Sequence, residues 1–184
     1  KSATSDYKVF FINQIIMLLI SPHLLTQITI ATALYFFFFE INFIEMGLFA
    51  SSPKYLIVSL FTLTHFIVDD FSKYIVHRWM HNWPFLWALH KVHHSATNLT
   101  PMTVFRTHPL EGLVFTLRSA FAQGVTISTF VYLFGGGVDL YTILGANLFV
   151  FFFNVFGSNL RHSHIGIRYW KWLEYVLISP AQHH

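Results

Sequence analysis

Apolar residues in this chain run in long blocks, not in the alternation of a half-buried strand or the narrow stripe of a surface helix. Four blocks reach the roughly 20 residues that a helix needs to cross a hydrocarbon core. They are 9–39, 55–76, 110–134 and 138–157. The first is longer than one crossing requires and is interrupted at Ser21-Pro22-His23, which predicts a kink or a re-entrant part. Gly135-Gly136-Gly137, followed by Val138-Asp139, reads as a tight turn. The last two blocks then form an antiparallel helical hairpin, and the polar segments on either side of it share one face of the bilayer. The predicted fold is all-α and membrane-integral, a single domain 1–184 of about four transmembrane helices. Segments 77–109 and 158–184 form its histidine-rich cap.

Charge tests this topology independently, because cytoplasmic loops carry the excess of Lys and Arg. The proposed histidine side bears Lys1, Lys8, Lys73, Arg78, Lys91, Arg106, Arg161, Arg168 and Lys171. The opposite side, segments 40–54 and 135–139, bears Lys54 against Glu40, Glu45 and Asp139. The cap is therefore expected to be cytoplasmic, as in a bacterial inner membrane or an endoplasmic reticulum protein. Composition agrees with a lipid solvent: 54% of residues are hydrophobic and 10% charged, against roughly 25% charged in soluble chains. The net charge of +3 and the scatter of basic residues give nucleic-acid binding no support. The chain opens on Lys1 and ends on His183-His184, so both ends read as cut, and no signal-peptide pattern is present.

The sequence has no Cys, so a transition metal must be held by His, Asp or Glu. Ten of the twelve His fall within 77–108 and 162–184. His77 and His81 are four apart, which places both imidazoles on one helical face. His90, His93 and His94 follow at spacings of three and four, and on a helix their ring nitrogens converge. Such density is costly for stability alone, and bound metal offsets the cost. With His162-Ser163-His164 and His183-His184 added, the donors exceed the four of a tetrahedral site, so two metals are the economical count. Imidazole suits Fe, Zn, Cu and Ni alike.

Asp70, Tyr74, His77 and His81 stand at offsets 0, 4, 7 and 11, one stripe of a helix. Asp70 is thus a candidate to accept the second N–H of a ligating imidazole. Asp69 faces elsewhere and is expected either to pair with a cation or to reach the interface. His65 lies twelve residues before His77, about 18 Å along a straight helix, too far to join the cluster. It reads, like His23, as a neutral packing histidine. His108 is read as a group supporting the ligands. Trp79, Trp83, Trp87, Trp170 and Trp172 read as an interfacial aromatic belt.

Three motifs, in order and between membrane blocks, carry a resemblance. They are Asp70-Phe71-x-x-Tyr74-x-x-His77-Arg78-x-x-His81, Leu86-Trp87-x-x-His90-Lys91-Val92-His93-His94-Ser95 and Arg106-x-His108-Pro109-Leu110-Glu111. Followed by Pro180-x-x-His183, the order resembles the fatty acid hydroxylase and sterol desaturase superfamily from about Asp70 to His184. The resemblance implies a non-haem di-iron centre, with zinc as a substitute metal, held by eight or more His. It implies His77, His81, His90, His93, His94, His162 and His183 as ligands, with His164 the alternative to His162. It also implies O2 as co-substrate, a lipid substrate of sterol or fatty acyl type, and electrons from cytochrome b5, a ferredoxin or a reductase. The superfamily's last box reads H-x-x-H-H and would begin at His183, so the chain stops before the final His pair.

Two rival classes predict different patterns. A metal transporter would place ionisable ligands near the bilayer midplane, where only His65 is expected. A zinc-dependent membrane hydrolase would set a carboxylate base beside the ligands, and none lies between His77 and His108.

Overall fold

The computed structural model describes residues 2–20, 27–41, 44–95, 106–161, 168 and 170–172. Every regular element among them is helical: α1 Ser2–Ile20, α2 Gln27–Ile41, α3 Lys54–Asn82, α4 Pro84–His90, α5 Pro109–Phe134 and α6 Leu140–Arg161. Short 3-10 turns occupy His93–Ser95 and Gly135–Gly137. The apolar blocks of the sequence thus reappear as α1 with α2, then α3, α5 and α6. Ser21-Pro22-His23 lies outside the described residues.

Among the described residues one helix, α3, is long and apolar enough to cross a membrane, at 29 residues. Four crossings were expected. Shorter apolar stretches are Ile28–Ile41 in α2 and Leu140–Asn154 within the 22-residue α6. Helix α5 carries Glu111, Arg118, Gln123 and several hydroxyls. Pro84 at the first position of α4 cannot continue α3, whose last residue is Asn82.

The chain packs as two units. The apolar unit comprises Leu25–Ser72 and Leu117–Phe152, and the histidine-rich unit comprises Lys1–Leu24, Lys73–Thr116 and Phe153–His184. In the apolar unit Ile57, Phe61, Phe130, Phe134 and Ala146 form the core. Phe61 meets Phe130 edge-on at 5.3 Å, and Phe130 stacks on Phe134 at 5.1 Å.

One end of this unit is closed by polar contacts. Tyr132 donates to the Ile44 carbonyl at 2.6 Å, and the Gly47 N–H, at a φ of 75° that favours glycine, donates to the Tyr132 carbonyl. Lys54 binds both the Gly137 carbonyl and the Asp139 carboxylate, at 2.7 and 2.9 Å. Asp139 caps α6 by accepting from the Thr142 N–H. The Lys54 hydrogen bond first, and then those of Thr142, hold the Asp139 carboxyl well below the usual carboxylate range. Segments 44–54 and 135–139, expected on one face, do meet.

Two buried polar contacts cross the same unit. Arg118 Nη1 donates to the Asp69 carboxylate at 2.9 Å, to the Asp69 carbonyl and to Ser72 Oγ. Of the two outcomes expected for Asp69, this is the pairing with a cation. His65 Nε2 stands 3.2 Å from Asn147 Oδ1, which also accepts from Gln123. His65 is thus a packing histidine bonded to a neighbouring helix.

Gly124 lets α5 approach α2. A Cβ there would lie 2.6 Å from Ile30 Cγ2 and 3.3 Å from the Ala31 backbone nitrogen. Gly124→Ala is expected to destabilise the protein by about 1–3 kcal/mol through overpacking. Gly145→Ala, with nothing within 4 Å, is expected to be neutral or stabilising by up to about 1 kcal/mol from helix propensity. Thermal unfolding in detergent checks the pair; equal melting temperatures would contradict the close approach.

Candidate metal centre

The histidine-rich unit is assembled from the last turns of α3, from α4 with the 3-10 turn after it, and from the first turn of α5. Helical spacing puts His77 and His81 on one face of α3, their Nε2 atoms 3.2 Å apart. The second His group does not continue one α-helix, as its spacing suggested. Helix α4 ends at His90, and His93 and His94 belong to the 3-10 turn. The tighter turn changes which rings converge. His94 Nε2 lies 3.1 Å from His90 Nε2, whereas His93 stacks on His90 with ring centroids 5.5 Å apart and planes at 18°.

The donor nitrogens of His77, His81 and His90 all lie within 4.8 Å of one another. Among the described residues they are the one group of three donors placed to hold a metal ion. His94 adjoins it, its ring 4.9 Å from that of His81. Two nitrogens bound side by side at about 2.1 Å from a metal stand roughly 3.0–3.4 Å apart. The 3.1 and 3.2 Å contacts have that spacing, so a nitrogen-loving transition metal fits the donor set.

Burial is graded across the cluster. His90 is 1% exposed, His77 is half-buried, and His81 and His94 are exposed. At about 44 Å for 29 residues, α3 exceeds a hydrocarbon core of about 30 Å, and His81 stands beyond the block 55–76. Burial, and then the proximity of His90, lower the His81 pKa from the usual imidazole value, while Glu111 pulls it up. The neutral ring is the ligating form.

Two neighbours of the cluster escaped the sequence reading. Trp87 was expected as a membrane anchor; its ring also lies 5.4 Å from His81 and 5.6 Å from His94. Glu111 is 2% exposed, and its Oε1 accepts from His90 Nδ1 at 2.8 Å. The sequence signal for Glu111 was its place at the end of the Arg106–Glu111 motif, with no spacing to tie it to His90.

The other expected residues are placed as follows. Asp70 is buried on α3. Tyr74 is half-buried, with the Arg78 guanidinium 3.4 Å from its hydroxyl. His108 precedes α5 and accepts from the Leu110 N–H through Nδ1, so it caps that helix. His162, His164, His183 and His184 lie outside the described residues.

Comparison with known proteins follows the same lines. Residues 62–184 match the sequence model of the fatty acid hydroxylase family. A Delta(7)-sterol 5(6)-desaturase of Eremothecium gossypii is 36% identical over 39% of the chain and 20% of its own length. A Dictyostelium discoideum protein, provisionally named a methylsterol monooxygenase, is 29% identical over 68% of the chain and 45% of its own length. A Delta(7)-sterol 5(6)-desaturase of Gibberella zeae is 28% identical over 68% of the chain and 34% of its own length. The chain thus spans less than half the length of these curated relatives. No solved structure matches it significantly.

Proposed function

The chain belongs to the fatty acid hydroxylase family, and on that premise we propose that it is the metal-binding part of a membrane enzyme that uses O2 to hydroxylate or desaturate C–H bonds of a lipid in lipid biosynthesis. The observation that carries the reading is the meeting of His77, His81, His90 and His94 at ligand spacing. The proposed ligands are these four with His93, His162 and His183, around two iron ions, zinc being a substitute. Asp70, Tyr74 and His108 are proposed as supporting groups. Bound iron would supply O2 activation for C–H oxidation, with electrons from a cytochrome b5-, ferredoxin- or reductase-type donor. The chain's own residues hold the imidazoles at fixed spacing, and Trp87 packs beside His81 and His94.

A multi-pass membrane setting suits the exposed side chains of the apolar unit. Phe36, Phe37, Leu63, Phe121, Phe149 and Phe152 are each about half exposed, as suits a lipid solvent. A bilayer would deliver an apolar substrate laterally and leave the cap open to a cytoplasmic electron donor. The relatives named above act on sterols by name, which favours a sterol-type lipid here. The transporter alternative loses ground because His65 is engaged by Asn147, and the hydrolase alternative because Glu111 is engaged by His90.

The test is metal analysis and O2 uptake by the purified full-length protein, given sterol-containing lipid extract and a reductant. About two irons per chain and lipid-dependent O2 consumption are expected. Zinc with no O2 uptake would overturn the reading.

A further inference from the structure

Glu111 lies in the first turn of α5 and is 2% exposed. A buried carboxylate is costly unless hydrogen-bonded and balanced by positive charge. Its Oε1 accepts from His90 Nδ1 at 2.8 Å, while Oε2 is buried with no hydrogen-bond partner among the described residues. No Lys or Arg among those residues pairs with it. Glu111 therefore makes its one side-chain hydrogen bond among those residues with His90.

A carboxylate accepts, so Nδ1 of His90 carries the proton and Nε2 is left with a lone pair. That Nε2 is the atom 3.1 Å from His94 Nε2, and His90 is the buried member of the group with His77 and His81. The geometry points to Glu111 as a positioning residue of the metal centre: it fixes the tautomer and ring orientation of His90 and makes Nε2 a stronger donor. Held this way, His90 is the fixed member of a cluster whose His81 and His94 are exposed. The metal in turn supplies the positive charge that the buried carboxylate lacks. Glu111 acts through His90 and touches neither substrate nor O2. Helical spacing pointed to Asp70 for such a role; Glu111 reaches a ligand from 21 residues away in sequence.

This inference rests on the metal-centre reading above. It is tested by titrating the metal-stripped full-length protein with Co(II) and following the visible absorption bands, alongside helical content by circular dichroism. Glu111→Ala is expected to weaken Co(II) binding about 10- to 100-fold and to shift the bands, since the His90 ring loses its anchor. Glu111→Gln keeps the shape and the acceptor but not the charge. It is expected to lose about 3- to 10-fold with native helical content, which keeps the inference testable if the alanine variant misfolds. Wild-type affinity and spectrum in Glu111→Ala, or in Glu111→Gln where the alanine variant does not fold, would overturn the positioning role alone. Failure of the wild-type protein to bind Co(II) would overturn the metal-centre reading, and this inference with it.

Discussion

Replacing His81 with alanine is expected to remove most of the bound metal and to lower lipid oxidation at least about a hundredfold, with the fold left standing. His81 Nε2 is 3.2 Å from His77 Nε2 and belongs to the group whose donors lie within 4.8 Å. Removing a ligand should cost more than the roughly 10- to 100-fold seen when a supporting partner is lost. Because His81 is exposed, its truncation should change stability by no more than about 0.5 kcal/mol. His90→Ala should lose metal equally but lower the melting temperature as well. It removes a side chain only 1% exposed and strips Glu111 of its partner. Metal content per chain, O2 uptake and a thermal melt distinguish the two variants. Full metal content in His81→Ala would refute its role as a ligand.

Arg118→Met is expected to cost about 3–5 kcal/mol by leaving Asp69 as an uncompensated buried charge. The two side chains are 9% and 7% exposed, and Arg118 also holds the Asp69 carbonyl and Ser72, so one loss removes three hydrogen bonds. At about 2–4 °C per kcal/mol for a chain of this size, the melting temperature should fall by roughly 10 °C. The double variant Arg118→Met/Asp69→Leu should recover most of that fall, since apolar replacement of a buried pair is often neutral or stabilising. Thermal unfolding of the three proteins in detergent decides it. A single variant as stable as the wild type would show that water reaches Asp69, and that the pair is not buried in the protein as it folds in lipid.

How far the sequence reached depended on how local each feature was. The apolar blocks 55–76 and 110–134 appear as α3 and α5 nearly at the expected bounds, because block length and apolarity are properties of contiguous residues. The His77/His81 pair was readable for the same reason, an i, i+4 spacing on a helix that does form there. The His90/His93/His94 group was misread in part. The chain leaves α4 at His90 for a 3-10 turn; His90 and His94 still meet, as their spacing predicted, while His93 stacks on His90.

Glu111 and Trp87 were not legible as partners of the cluster, nor Arg118 as the specific partner of Asp69. Each contact joins different helices or turns across tens of residues, and periodicity along one segment carries no information about such neighbours. By itself the sequence determined the helical class, the long apolar blocks and the histidines as candidate metal donors, because composition and local spacing impose these. The tertiary structure alone decided which imidazoles meet at ligand distance, which carboxylate stands behind them and how charge is paired in the apolar unit. Those properties depend on how helices pack, and packing is set by side chains remote from one another in the chain.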